Sequence, residues 1–231
     1  MSGVREFLKT ELGGWKKFEI AVGAVVMLII FLTAVLKKDS PVALVYAVCG
    51  ILYTIIAGKG KISCYIFGII SSLCYCFLSF KSALWGNLAL NFCYYLPMEI
   101  IGIAEWRKHL KVESREIIKT KLAGRERIFL WVICVLGCAA AVTLLFFVKD
   151  SHPVFDGITT VLSIAAMYLT IKRCIEQWII WMIVNGLSVL MWLDIVFKGA
   201  KAYGAVIVWS VYFILAVYFY ISWRKELINQ K

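Results

Sequence analysis

Residues 177–197 read QWIIWMIVNGLSVLMWLDIVF. Coiled into a helix at ~1.5 Å per residue, a run of this length crosses a hydrocarbon layer of ~30 Å. It is not uniformly apolar. Trp178, Trp181, Asn185, Ser188 and Trp192 recur at spacings of three and four, so they share one helix face. Indoles, an amide and a hydroxyl thus form a stripe at membrane depth, where each polar group needs a partner, a water-filled cavity or a ligand. The stripe reads as one wall of a binding site. The plainer alternative is packing against neighbouring helices, with Asn185 in an interhelical hydrogen bond worth ~0.6 kcal/mol.

The rest of the chain has the same character. Of its 231 residues 62% are apolar and 17% charged, against about 25% charged in soluble proteins, and the mean hydropathy is +0.86. The chain is a polytopic membrane protein, all-α. Its net charge of +11 would suit nucleic acid, but the basic residues lie between apolar runs. That is the pattern of cytoplasmic loops facing anionic lipid, so the partner is the membrane and not nucleic acid. Cys49, Cys64, Cys74, Cys76, Cys93, Cys134, Cys138 and Cys174 sit mostly inside apolar runs with no CxxC, and read as small packing residues, neither disulfides nor metal ligands.

Eight transmembrane helices are expected, near 18–36, 41–57, 62–80, 84–106, 128–148, 154–171, 177–197 and 202–223. They follow an amphipathic interfacial helix over 1–17, where Val4, Leu8, Leu12 and Trp15 share a stripe. The apolar run after it is too long for a signal-peptide core and is expected to be retained. Pro41 and Pro153 suit the first turns of spans 2 and 6. With eight spans, both termini share a side with loops 58–61, 107–127 and 172–176. That side holds 19 Lys and Arg and the other holds 6, out of 25 in all, so both termini are placed in the cytoplasm. The basic loop 107–127 is too short for a domain and reads as a partly helical linker on the inner membrane face.

The stretches on either side of that linker repeat. Ser40-Pro41-Val42 matches His152-Pro153-Val154, and Lys59 matches Lys172. Tyr65, Gly68 and Ser72 then meet Trp178, Trp181 and Asn185, and Trp85-Gly86 meets Tyr203-Gly204. Two parallel three-helix repeats, 41–106 and 154–223, are therefore expected, joined by a linking helix over 128–148. The first span, 18–36, is an addition to this 3+1+3 plan. Parallel repeats of this kind are a transporter architecture that holds substrate near the bilayer midplane, between the halves.

The 3+1+3 plan resembles that of the SWEET sugar transporters, and the sequence itself resembles the PnuC family of bacterial nicotinamide riboside transporters. The likeness spans roughly residues 40–223 and is strongest over 153–192, in the Asp after the short Pro loop, VLSIAAM, and WxxWxxxN. KISCYIFG and IIGIAEW in the first half also fit. The resemblance implies uptake of nicotinamide riboside by facilitated diffusion through the bacterial inner membrane. It also implies a functional link to a cytoplasmic riboside kinase that traps the substrate, and a homotrimer.

Such a ligand carries a pyridinium cation, a carboxamide and a ribose. A desolvated cation over an indole gains roughly 2 kcal/mol, which Trp178 and Trp181 can supply. The amide of Asn185 offers the donor and acceptor that match a carboxamide. Span 4 offers a second wall in Asn87, Asn91, Tyr94 and Met98, and Asn91 matches Trp209 of span 8. Span 6 adds Asp156, Thr160, Ser163 and Met167, with Ser163 suited to a ribose hydroxyl and Asp156 to capping the helix after Pro153. Glu99, beside Pro97, is read either as a proton-coupling group or, preferably, as the partner of a basic linker residue. His109 and His152 lie in loops and receive no role.

No GxxxxGK[ST] loop, HExxH or Ser/His/Asp constellation with His inside a span is present, so no catalytic, metal or cofactor site is expected. Two other classes stay open: proton-coupled uptake of a related nucleoside or vitamin, and a structural or regulatory subunit whose polar residues only join helices.

Overall fold

The computed structural model describes residues 17–37, 40–82, 85–111, 116–149, 151–199 and 203–229. The expected interfacial helix over 1–17 lies outside them, save Lys17. The described elements are α1 (Lys17–Lys37), α2 (Pro41–Gly58), α3 (Cys64–Lys81), α4 (Trp85–Leu90), a π-helical segment (Asn91–Tyr95), α5 (Leu96–Arg107), α6 (Gly124–Phe147), α7 (Pro153–Ile171), α8 (Glu176–Phe197) and α9 (Tyr203–Asn229). Six of them, α2, α3 and α6–α9, are long and apolar enough to cross a membrane. The fourth expected span, 84–106, is a helical run broken by the π segment. In the first, the apolar stretch among the described side chains covers only Gly23–Leu32.

The helices begin where local chemistry predicts. Ser40 caps α2, its Oγ accepting from the Ala43 amide at 3.2 Å, with Pro41 in the first turn. Pro153 opens α7 in the same way, but the cap there is His152, which makes no side-chain capping bond. Asp156 lies within the first turn, so the expectation that it caps the helix is corrected. The linker 107–127 is helical at its two ends, Arg107 and 124–127, and turns at Lys108 and His109. Between them, isolated β-bridges pair Lys61 with Glu116, Leu110 with Ile117 and Thr120 with Cys174.

The chain divides into two compact units, Met1–Ile118 and Lys119–Lys231. In the first, α2 packs along α3, α1 along α2, and α3 against α5 and the π segment. In the second, α6 packs along α7, α7 along α8, and α8 along α9. The α6–α7 crossing is close enough that a Cβ on Gly157 would stand 2.9 Å from the Val142 amide nitrogen. The second core joins Cys134, Leu162, Ala166, Leu169, Cys174, Ile180 and Val184. Trp131, on the linking span, is packed against it. The opposite side of α6 shows Phe129, Val135, Leu136 and Phe146 to the surroundings, as a lipid-facing helix does.

Candidate functional site

The stripe on α8 divides by depth. Trp178, in the first turn, is 2% exposed. Its ring lies 5.3 Å from that of Phe219 and edge-on to Trp223 at 5.7 Å, while its Nε1 meets no acceptor. It is therefore packed between α8 and α9. One turn on, Trp181 is half-buried with part of its surface on the second core. Asn185 is 5% exposed, and no hydrogen bond among the described residues reaches its amide. Ser188 is buried and donates to the Val184 carbonyl at 2.9 Å, which leaves its hydroxyl occupied within its own helix. Trp192 is half-buried. The pair with chemistry to spare is thus Trp181 and Asn185: an indole with open surface, and one turn away an amide with unfilled donors and acceptor.

The other candidates in this unit are more dispersed. Ser163 is half-buried, Thr160 exposed and Met167 buried on α7. Trp209 on α9 is half-buried, with Tyr212 at 5.8 Å.

In the first unit, Asn91 and Tyr94 lie in the π segment. Asn91 Nδ2 donates to the Asn87 carbonyl at 2.9 Å, Asn87 itself is exposed, and Tyr94 stands edge-on to Tyr95 at 5.4 Å. A π segment winds in one more residue than an α-helix would, and such segments are common at functional sites. A trace of it is present in the repeat. Trp85 to Trp106 spans 21 residues, whereas the matching Tyr203 to Trp223 spans 20. The extra residue is absorbed in Asn91–Tyr95, so both ends stay in register. A groove of about 380 Å³ runs beside Trp85, Leu88, Ala89, Phe92 and Cys93. Its lining is apolar and no candidate polar residue borders it.

Glu99 departs from expectation. Among the described residues it pairs with no basic linker residue. Lys61 pairs with Glu116 at 3.7 Å, Lys108 with Glu105 at 3.8 Å, Lys119 with Glu226 at 2.5 Å and Arg127 with Glu176 at 2.8 Å. Glu99 is instead 5% exposed inside the first unit, where Ser72 Oγ donates to its Oε1 at 2.9 Å and Oε2 is buried without a partner.

Sequence reasoning also missed Lys119. It reads as one more interfacial lysine, yet its side chain is buried and its Nζ lies 5.1 Å from the centre of the Trp223 ring. Nothing in its loop marks it, because both partners lie on α9, more than 100 residues away.

Comparison with known proteins agrees in outline. The family model described as nicotinamide mononucleotide transporter matches residues 40–225. A nicotinamide riboside transporter PnuC from Neisseria mucosa is 36% identical over 92% of this chain and 83% of its own length. The protein of the same name from Haemophilus influenzae is 30% identical over 94% of this chain and 95% of its own. A crystal structure of the vitamin B3 transporter PnuC superposes with a TM-score of 0.81 at 35% identity, covering 96% of this chain and 97% of the other.

Proposed function

This chain belongs to the PnuC family of transporters, and from that membership we propose that it carries nicotinamide riboside across the bacterial inner membrane by facilitated diffusion. The observation that carries the reading is the pair on α8, where the half-buried Trp181 offers a face to the pyridinium and the unpartnered Asn185 amide matches the carboxamide. The further candidates for the ribose and ring are Ser163 and Trp209 in the second unit and Asn91, Tyr94 and Asn87 in the first. Trp178, packed against Phe219 and Trp223 of α9, is the least accessible of the candidates on the stripe.

Chemistry favours the riboside over the mononucleotide. A phosphate at membrane depth requires Arg or Lys. Among the described residues of the membrane-spanning helices, every Lys and Arg lies within two turns of a helix end or in a loop. Equilibrium binding of nicotinamide riboside, measured by calorimetry against the mononucleotide, thiamine and uridine, tests the reading. Binding of the riboside alone supports it, and tight binding of the mononucleotide overturns it.

The rest of the proposal follows from the family and the charge bias. Both termini are cytoplasmic, the assembly is a trimer, and a cytoplasmic kinase consumes the imported riboside. Cysteine labelling that finds loop 107–127 outside defeats the eight-span topology. In liposomes, uptake is expected to stop at equal concentrations. Accumulation driven by a pH gradient would favour proton coupling instead, for which the buried Glu99 is the group to consider.

A further inference from the structure

We propose that Glu99 is the residue by which this transporter selects for positive charge in its substrate. This rests on the riboside reading above and adds to it the origin of charge selectivity.

Among the described side chains, Glu99 is the one carboxylate standing more than two turns from the end of its helical run. Glu105, Glu126, Asp156, Glu176, Asp194 and Glu226 all lie in first or last turns, and Glu116 lies in the linker. A carboxylate at such depth is costly unless it serves a function or is fully paired. Glu99 is not fully paired. One oxygen holds the Ser72 hydroxyl at 2.9 Å, the other is buried and free, and no described Lys, Arg or His forms an ion pair with it.

Its surroundings suit a cation. A Cβ on Gly68 would stand 2.9 Å from Glu99 Oε1 and equally close to the ring of Tyr53. The missing side chain therefore lets a carboxylate and an aromatic ring converge beside α3, and a carboxylate next to a π-face is how proteins hold organic cations. The location also fits. Gly68 and Ser72 match Trp181 and Asn185 in the repeat, so Glu99 addresses the face of α3 that corresponds to the stripe of α8. At the 117-residue offset of Trp106 and Trp223, the position of Glu99 is held by Ala216. The negative charge is thus present in one half only. A pyridinium that leaves water for the membrane interior loses hydration, and a fixed anion at depth offsets that loss.

The test compares two ligands of the same shape. Nicotinamide riboside is a cation, while its 1,4-dihydro form keeps the carboxamide and ribose but is neutral. Calorimetry on the purified protein is expected to show preference for the cation. Glu99→Gln, which still accepts from Ser72, is expected to weaken cation binding by about tenfold or more while changing the neutral form by less than about twofold. Glu99→Asp keeps the charge and is expected to retain most of the preference. Equal losses for both ligands in Glu99→Gln reduce Glu99 to packing and overturn the proposal, as does unchanged cation binding. Should Glu99→Gln fail to fold, equal wild-type affinities for the cation and the neutral form overturn the proposal, and a cation preference kept in Glu99→Asp supports it. If the wild type binds neither ligand, the riboside reading fails first and takes this one with it.

Discussion

In the first unit the ring of Tyr65 stands edge-on to Trp106 at 5.0 Å. In the second, Trp178 stands edge-on to Trp223 at 5.7 Å. The backbones that present these rings also match. The loops before α3 and α8 each turn through a left-handed residue, Gly60 with φ 72° and Arg173 with φ 59°, and the linker pairs with each loop by backbone hydrogen bonds. Arg173 adopts a conformation that costs a non-glycine residue roughly 1–2 kcal/mol, and the second unit keeps it. The ends of the two units that carry these rings are thus built alike. Deeper in, they part. Gly102 in the first unit corresponds to Phe219 in the second, Gly68 to Trp181, Ser72 to Asn185, and Glu99 to Ala216. The common geometry holds the helices, and the divergence falls on the positions proposed to read the substrate.

The largest effect is expected from exchanging the corner residues. A Cβ on Gly102 would stand 2.3 Å from the Tyr65 ring, so Gly102→Phe has no room, and a loss of about 3 kcal/mol or more is expected. Phe219→Gly removes the ring beside Trp178, with an expected cost of about 3–5 kcal/mol. Thermal melts in detergent check both. If Gly102→Phe melts like the parent, the two corners are interchangeable and the comparison is too strict.

Next come the proposed binding residues. Trp181→Ala is expected to cost about 2 kcal/mol, roughly 30-fold in riboside affinity, and Trp181→Phe less. Asn185→Leu is expected to cost about 1–3 kcal/mol and to hurt the riboside more than an analogue without the carboxamide. Calorimetry separates these from Leu136→Ala on the lipid-facing side of α6, expected within about 0.5 kcal/mol of the parent. Trp131 is unsuitable as that control because it touches the second core. Parent-like binding in both Trp181→Ala and Asn185→Leu would leave the stripe as packing alone.

A deletion sharpens the comparison further. Removing Phe92, whose side chain is exposed, makes the run from Trp85 to Trp106 as long as its counterpart on α9. The π segment is then expected to relax into α-helix and to turn the residues on one side of it by ~100° relative to those on the other. Binding is expected to fall by about tenfold while the melting temperature stays within about 5 °C of the parent. A variant that binds normally would show that the extra residue has no part in the site.

The smallest effect concerns the linker. Lys119→Met breaks a pair whose other partner, Glu226, is 36% exposed, so about 1 kcal/mol is expected in place of the larger cost of a wholly buried pair. Lys61→Met, whose pair with Glu116 is longer at 3.7 Å, is expected to cost less. Melts of the two variants rank them.

Much of this was present in the order of residues. Apolar run lengths marked the six long helices α2, α3 and α6–α9, because a helix must satisfy its own backbone in lipid and so needs about 20 apolar residues. The paired prolines and the Tyr65–Trp178 match marked the repeat, and the Trp181–Asn185 spacing marked a face. These are local properties, set within one or two turns. What only the tertiary structure decided is which neighbour each side chain meets. Trp178 and Trp181 are alike in the sequence, yet the first is closed off by Phe219 and Trp223 while the second keeps open surface. Glu99 reads as a residue in reach of basic loops. The fold gives it Ser72 from 27 positions away and leaves its other oxygen free. Lys119 finds its carboxylate 107 positions away. Such contacts depend on how helices cross. Many partners satisfy a polar side chain equally well in composition, and only packing selects one of them.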